Sequence, residues 1–149
     1  MTDAVVTAVA AFRELAFSLD ALDQAAAERL GVGRSDLRCL DVLSQRENVT
    51  AGELAHAVGL SPAALSAALR RLQARGYIVR DHAEHDRRIV YVHMTQTAAQ
   101  LTAQSFAAVR ALTINALSDL NPAELTTVAS VARNLAAAIT ASLEQGNAG

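Results

Sequence analysis

The chain has 149 residues, enough for one domain with its own hydrophobic core. Hydrophobic residues make up 52% of it and charged residues 19%, with only 2 prolines and 7 glycines, which excludes a disordered or collagen-like chain and favours a globular, mainly helical one. The single cysteine, Cys39, excludes an internal disulfide framework, and the formal net charge of -2 is not that of a uniformly basic nucleic-acid binder.

The sequence carries no pattern typical of export or of a membrane span. Asp3 precedes the first short apolar run and no basic residue does, which differs from a secretory signal. The uncharged stretch 89–109 is interrupted too often by polar side chains to cross a membrane. We therefore expect a cytoplasmic protein without a membrane partner.

Charge is distributed unevenly along the chain. Between Ser61 and His93, six arginines stand against three carboxylates, a formal charge of +3, which leaves -5 for the rest. A basic middle flanked by acidic helices suits a protein that contacts phosphates with one segment and its own kind with others.

Two helices are predicted at the start of the chain. Apolar residues recur at spacings of three and four through about residues 3–30, and Gly31 then ends the pattern. A shorter apolar stripe predicts a second helix over about residues 35–45, with Cys39 in its middle.

Two short helices joined by a tight turn follow. Thr50 and Glu53 have the spacing of a capping box, which predicts the start of a third helix that stops near Gly59. Ser61 is a good N-cap and Pro62 suits the first helical position, so a fourth helix begins there. This order is the layout of a helix-turn-helix.

The fourth helix has two unlike faces. Apolar residues at i, i+3, i+4 and i+7 predict a buried face, and the other positions carry small residues first and arginines later. Small side chains allow the backbone to approach the base edges of DNA. We expect DNA contacts from Ser61, Pro62, Ala63, Ala64, Ser66, Ala67, Arg70 and Arg71. A scaffold ion pair is an equally good interpretation of Arg71, and the sequence leaves both roles open.

A β-hairpin with a long polar tip is predicted next. The runs 77–80 and 89–93 are rich in β-branched and aromatic residues, and a charged segment separates them. A hairpin beside a recognition helix is a wing, so we expect further DNA contacts from Asp86, Arg87 and Arg88. Arg87 is expected to point away from Arg88 and to matter less.

Two helices close the chain. Thr95 caps one that reaches about Leu120, and Asn121 with Glu124 caps another. The apolar stripes of the first, fifth and sixth helices exceed what a small winged core can cover, which predicts an obligate homodimer. The residues assigned to dimerisation are Val5, Val9, Phe12, Leu125, Val128, Leu135 and Ile139.

The order of these parts resembles the MarR family across nearly the whole chain. The strings that carry the resemblance are Leu54-Ala55, then Leu60-Ser61 leading to Leu69, Arg71, Leu72 and Arg75-Gly76-Tyr77-Ile78, and Asp86-Arg87-Arg88 followed by Val92-His93-Met94-Thr95. The fold expected is mainly α with a small β-hairpin wing. It forms a single domain over residues 1–149, with the winged core at about 35–94 and dimerisation helices at about 3–30 and 95–145.

The resemblance also implies a function. The function implied is that of a transcriptional regulator that acts as a repressor. As a homodimer it binds a pseudo-palindromic operator in double-stranded DNA, and a small, often aromatic effector releases it. In the family, an Asp at the position of Asp86 orients an Arg at the position of Arg88 toward the minor groove. Ala67 and Ala98 depart from the family, where a polar or basic residue and a glycine are frequent, and this leaves base preference open.

Other classes of function are weighed against this one. No nucleophile with a base, phosphate loop or carboxylate pair can be assembled, so we expect neither an enzyme nor a cofactor. His82 and His85 at a spacing of three suggest a metal site, but a wing is a poor metal cage and we expect none. Two alternatives stay open, which are a DNA-binding regulator that responds to oxidation of Cys39 and a protein-interaction module that does not bind DNA.

Overall fold

The structure is a computed structural model that describes residues 2–86 and 88–146. In chain order it contains α1 (Asp3–Leu30), α2 (Arg34–Gln45), β1 (Val49–Thr50), α3 (Ala51–Val58), α4 (Pro62–Ala74), β2 (Ile78–His82), β3 (Val90–Met94), α5 (Gln96–Leu117) and α6 (Pro122–Gly146). The mainly α fold with a small β-hairpin is thus confirmed.

The chain divides into two compact units, Met1–Ala107 and Ala108–Gly149. The first unit holds every element from α1 to β3 together with the first part of α5. The second holds the remainder of α5 and all of α6. That the whole chain is a single domain stays a prediction.

Helix α1 is buried at its carboxyl end. Its buried side chains are Ala26, Ala27 and Leu30, all in the last turns. Gly31 then takes the left-handed conformation, with φ of 64°, and its amide donates to the carbonyl oxygen of Glu28 at 3.1 Å. Glycine adopts this conformation without the steric cost that a Cβ brings, so the helix stops there.

The core of the first unit lies between α2, α3, α4 and the sheet. Apolar spacing places one face of each helix toward this centre, as the sequence predicted. The largest apolar side chains buried there are Leu37, Leu40, Leu43, Leu54, Val58, Leu65, Leu69, Leu72, Ile78 and Val92. Burial of this order fixes the relative positions of α3 and α4, which bear on the candidate site.

The sheet has three antiparallel strands in the order β1-β3-β2. In the hairpin, Ile78 lies opposite Met94, and His82 lies opposite Val90. Strand β1, which pairs Val49 with Val92, was not predicted. Two residues are too few for an alternating pattern, so only the long-range pairing with β3 identifies them as a strand.

The predicted bounds of the hairpin strands and of α5 are wrong by one to three residues. Strand β2 starts one residue late because the amide of Tyr77 donates to the carbonyl oxygen of Leu72 and so closes α4. It continues through Asp81 and His82, since the ladder bonds are made by the backbone whatever the side chain. Helix α5 ends at Leu117 instead of about Leu120.

The start of α6 is confirmed in detail. The Asn121 side-chain oxygen accepts from the amide of Glu124 at 3.0 Å, and the Glu124 carboxylate accepts from the amide of Asn121 at 2.8 Å. This reciprocal pair satisfies two amides that the first turn leaves free. None of the described helices combines the length and the apolar character needed to cross a membrane.

Candidate nucleic-acid interface

Helix α3 and the turn after it set the direction of α4. The Thr50 hydroxyl accepts from the amide of Glu53 at 3.2 Å, and the Glu53 carboxylate accepts from the amide of Thr50 at 2.9 Å. The Glu53 carboxylate accepts a second bond from the Thr50 hydroxyl at 2.7 Å, and the bonds from the Thr50 amide and then from this hydroxyl lower the pKa of Glu53. Gly59, with φ of 66°, ends α3 in the left-handed conformation and allows the tight turn into Ser61.

The exposed face of α4 begins at its N-cap. The Ser61 hydroxyl accepts from the amide of Ala64 at 3.2 Å, and Pro62 occupies the first turn, as predicted. The residues predicted to contact DNA that are exposed here are Ser61, Pro62, Ala63, Ala64, Ser66, Arg70 and Arg71, and Ala67 is partly exposed. The structure therefore brings this set together on one side of one helix.

The two adjacent arginines of α4 have different partners. Arg71 forms a bidentate ion pair with Asp36 of α2, with Nε–Oδ2 and Nη2–Oδ1 distances of 3.0 Å and 2.6 Å. This contact raises the pKa of Arg71, chiefly through the hydrogen bond to Asp36. Of the two roles left open for Arg71, the geometry favours the scaffold ion pair. Arg70 is exposed on the same helix.

Asp36 is a structural residue that the sequence analysis missed. Its side chain is only 2% exposed, and it lies within the apolar face of α2. A detectable signal was present, since Asp36, Leu40 and Leu43 follow the i, i+4, i+7 spacing of a single helix face. A carboxylate in that register predicts a buried partner of opposite charge.

The wing tip is a compact loop. Ala83 donates its amide to the carbonyl oxygen of Ile89 at 3.0 Å, and Ile89 donates to that of Asp86 at 3.0 Å. The Asp86 carboxylate accepts from the backbone amide of Arg88 at 2.9 Å. The contact found for Asp86 is thus with the backbone of Arg88, where the family resemblance led us to expect the guanidinium. Arg87 lies outside the described residues.

A side-chain bond links the wing to the recognition helix. Arg80 of β2 donates from Nε to the side-chain oxygen of Gln73 of α4 at 2.9 Å. On the other face of the hairpin, His93 Nε2 lies 3.7 Å from the Asp81 carboxylate. The bond between Arg80 and Gln73 therefore fixes β2 against the recognition helix.

The surroundings of Cys39 and of the wing histidines bear on the oxidation and metal-binding hypotheses. Cys39 is fully buried, and burial, reinforced by the charge of Asp36, raises the pKa of its thiol to about 11. The thiolate is the reactive form of cysteine, so this environment disfavours a thiol-oxidation switch. Among the described residues, no cluster of three or more His, Cys, Asp and Glu side chains is placed to hold a metal ion.

The residues assigned to dimerisation lie on exposed apolar faces. Between 37% and 55% of the surface of each remains accessible in the single chain. They are Val5, Val9 and Phe12 on α1, and Leu125, Val128, Leu135 and Ile139 on α6. Exposed apolar patches on helices of this length are typical of an association surface.

A short helix, a tight turn, a second helix with an exposed face, and a β-hairpin linked to that helix together define a winged helix-turn-helix protein. Residues 30–89 match a family model described as MarR family. YcgE of Bacillus subtilis (strain 168), named as an uncharacterised HTH-type transcriptional regulator, is 40% identical over 86 residues, which cover 58% of this chain and 56% of that protein. The chain thus matches little more than half the length of this relative.

Solved structures show the same fold. A mutant of MepR from a multidrug-resistant S. aureus clinical isolate has a TM-score of 0.73 at 16% identity, over 88% of this chain and 96% of that one. FabT of Streptococcus pneumoniae, solved in complex with DNA, has a TM-score of 0.69 at 17% identity, over 91% and 97%. The resemblance seen in the sequence is confirmed by the MarR family model over residues 30–89, and the chain shares its fold with these solved structures.

Proposed function

We propose that this protein binds an operator in double-stranded DNA as a homodimer and represses transcription from it. The observation that carries the proposal is the exposed face of α4, where small residues follow a capped amino terminus and Arg70 follows them, beside a wing that exposes Arg88. Recognition helices of this class contact base edges with their amino-terminal residues, and small side chains allow the close approach that such contacts need.

The amino end of α4 suits a position in the major groove. Ser61 presents a hydroxyl at the cap, and Ser66 lies one turn further along the exposed side. Hydroxyl groups can donate to or accept from either kind of base pair, so the two serines can read base edges or hold phosphates. Arg70, near the other end of the exposed face, is the arginine of α4 that we assign to a phosphate.

Dimerisation places two such helices on one duplex. A two-fold dimer contacts half-sites separated by one helical turn, about 34 Å, or a multiple of it, which is why its operator is close to a palindrome. The exposed apolar faces of α1 and α6 support a second copy of this chain as the partner. The wings then reach the minor grooves that flank the two half-sites.

Repression and its release are the finer parts of the proposal. A dimer bound over a promoter blocks transcription, and a small, often aromatic effector that changes the separation of the two recognition helices releases it. The names of the relatives support regulation of transcription, and the DNA complex of FabT supports duplex DNA as the ligand. We infer a cytoplasmic location, where such an operator is found.

Salt-dependent binding tests the proposed function. If each protomer places about three positive charges on phosphates, the logarithm of the binding constant falls with that of salt concentration with a slope near -5 for the dimer. Fluorescence anisotropy with a labelled duplex, selected by the protein from a random-sequence pool, measures this slope. A flat response, or no duplex bound at low salt, would favour the interaction-module alternative.

Arg88→Ala is expected to weaken operator binding by about 1 to 3 kcal/mol, because the guanidinium is proposed to lie in a narrow minor groove of negative potential. The melting temperature should stay close to that of the parent, since an exposed arginine contributes little to folding. Anisotropy titrations and thermal melts on the same preparations measure both. A variant that binds operator as the parent does removes the wing from the interface.

Asp86→Ala provides the matched comparison. Loss of its bond to the Arg88 amide loosens the tip, so this variant should reproduce part of the Arg88→Ala defect. Because both changes act on the same contact, their effects should not add in the double variant. Additive losses would mean that Asp86 and Arg88 act independently.

A further inference from the structure

The recognition helix, α1 and α5 meet at a single point in the first unit. This point is the pair Gly76–Tyr77, which follows Arg75, the C-cap residue of α4. The hydroxyl of Tyr77 donates to the carbonyl oxygen of Leu30, the last residue of α1, at 3.0 Å. Its carbonyl oxygen accepts from the amide of Thr95, the residue before α5, at 2.9 Å.

The same point is bonded to α4 as well. The amide of Tyr77 donates to the carbonyl oxygen of Leu72, inside α4, at 2.9 Å. Thr95 adds a bond from its hydroxyl to the carbonyl oxygen of Gly76 at 2.9 Å. Tyr77 is therefore held by one bond each to α1, to α4 and to the residue that precedes α5, and the backbone bonds leave its position little freedom.

Arg75 reinforces the contact with α1. A Cβ added at Gly31 would lie 3.1 Å from Nη1 of Arg75, so the guanidinium covers the left-handed residue that ends α1. A cation at this place faces the carboxyl end of the helix, where the last carbonyl groups carry partial negative charge. The last turn of α1 is thus fixed from both sides, by its own buried side chains and by the residues that follow α4.

The contacts of Arg75, Gly76 and Tyr77 with α1 and with Thr95 form a joint between α4 and α1. This joint connects the two parts of the proposed function. Helix α4 carries the residues assigned to DNA, whereas α1 carries an exposed apolar face assigned to the dimer. A stiff joint makes the angle of α4 relative to α1 the same in each protomer. In a symmetric dimer, that angle determines the distance between the two recognition helices.

We propose that Tyr77, with Arg75, is a positioning residue that sets which separation of half-sites the dimer accepts. The proposal rests on the DNA-binding function proposed above, and it names the residues that restrict which operators the dimer binds. One base pair inserted between half-sites moves the second site by about 3.4 Å and rotates it by about 35°. A dimer can follow this change only by deforming its joints, so stiffer joints give stronger discrimination.

Tyr77→Phe tests this, because it removes only the hydroxyl that reaches α1. The probes are the palindromic duplex selected by the parent protein, the same duplex with one base pair inserted at its centre, and a duplex with one half-site. We expect the preference for native over altered spacing to fall by about three-fold or more, which corresponds to the loss of a single hydrogen bond. Affinity for the single half-site should stay within about two-fold of the parent.

Two further variants make the result decisive. Tyr91→Phe removes the same atom from the other tyrosine, the second residue of β3, and should leave the spacing preference unchanged. Arg75→Gln should relax spacing as Tyr77→Phe does, and it decides the matter if Tyr77→Phe fails to fold. Equal weakening on both spacings would overturn the proposal, since a merely structural or phosphate-binding role predicts that pattern. An unchanged spacing preference would also overturn it.

The proposed function fails in a different way. If the parent protein binds no duplex of any spacing, the spacing role falls together with DNA binding. If the parent binds and discriminates, but the variants discriminate equally well, only the spacing role is refuted.

Discussion

Leu135→Glu is expected to convert the protein into a monomer at micromolar concentration and to reduce operator affinity at least 100-fold. Leu135 lies at the middle of the apolar face of α6 and is 41% exposed in the single chain. If this face is covered by a second copy, a carboxylate there is buried without a partner, which costs several kcal/mol. Sedimentation velocity measures the state of association, and anisotropy measures the loss of binding.

The loss of DNA binding is indirect. A monomer contacts one half-site, and the free energy of the second half-site contact is no longer gained on the same molecule. Residual binding of the variant should therefore resemble that of the parent to a duplex with one half-site. This comparison separates a failure to dimerise from damage to the recognition helix.

Arg133→Glu is the matched control on the same helix. It introduces the same side chain two residues earlier, at an exposed position that already carries a charge. Residues two apart lie about 200° apart around a helix, so this position is far from the apolar face. Arg133→Glu should remain a dimer and bind operator. A stable Leu135→Glu dimer at micromolar concentration would contradict the assignment of α6 to dimerisation.

The features that the sequence predicted well are determined locally. The caps at Thr50, Ser61 and Asn121 each depend on residues within three positions, and each forms the hydrogen bonds expected of it. The buried face of α4 follows from helical spacing alone. Local chemistry therefore fixed where α3 and α4 start and which side of α4 is exposed.

The features that it missed depend on distant partners. Strand β1 exists because Val49 pairs with Val92, and no pattern within two residues predicts that pairing. Tyr77 reaches Leu30, which is 47 positions away in the chain. The sequence predicted Tyr77 only as the first residue of a strand. Its hydroxyl donates to a backbone oxygen, which any residue would present, so no residue type marks the partner in the sequence.

Arg71 shows most clearly that features which depend on distant partners are missed by prediction from the sequence. Its replacement by alanine is the second large effect that we expect. Arg70 and Arg71 are adjacent and both exposed on α4, so only the position of Asp36 distinguishes them. Arg71→Ala leaves the Asp36 carboxylate buried without a partner, which is a strongly destabilising arrangement. We expect the melting temperature to fall by on the order of 5 °C, while the folded fraction binds operator with an unchanged salt slope.

Arg70→Ala should do the reverse. Loss of one phosphate contact from each protomer reduces the salt slope by about 2 for the dimer and leaves the melting temperature nearly unchanged. Replacing both partners of the buried pair, in Asp36→Leu with Arg71→Met, should recover much of the stability lost in Arg71→Ala, because no buried charge remains. If Arg71→Ala instead keeps its melting temperature and lowers the salt slope as Arg70→Ala does, then Arg71 is a phosphate contact and its ion pair with Asp36 does not hold α4 in place.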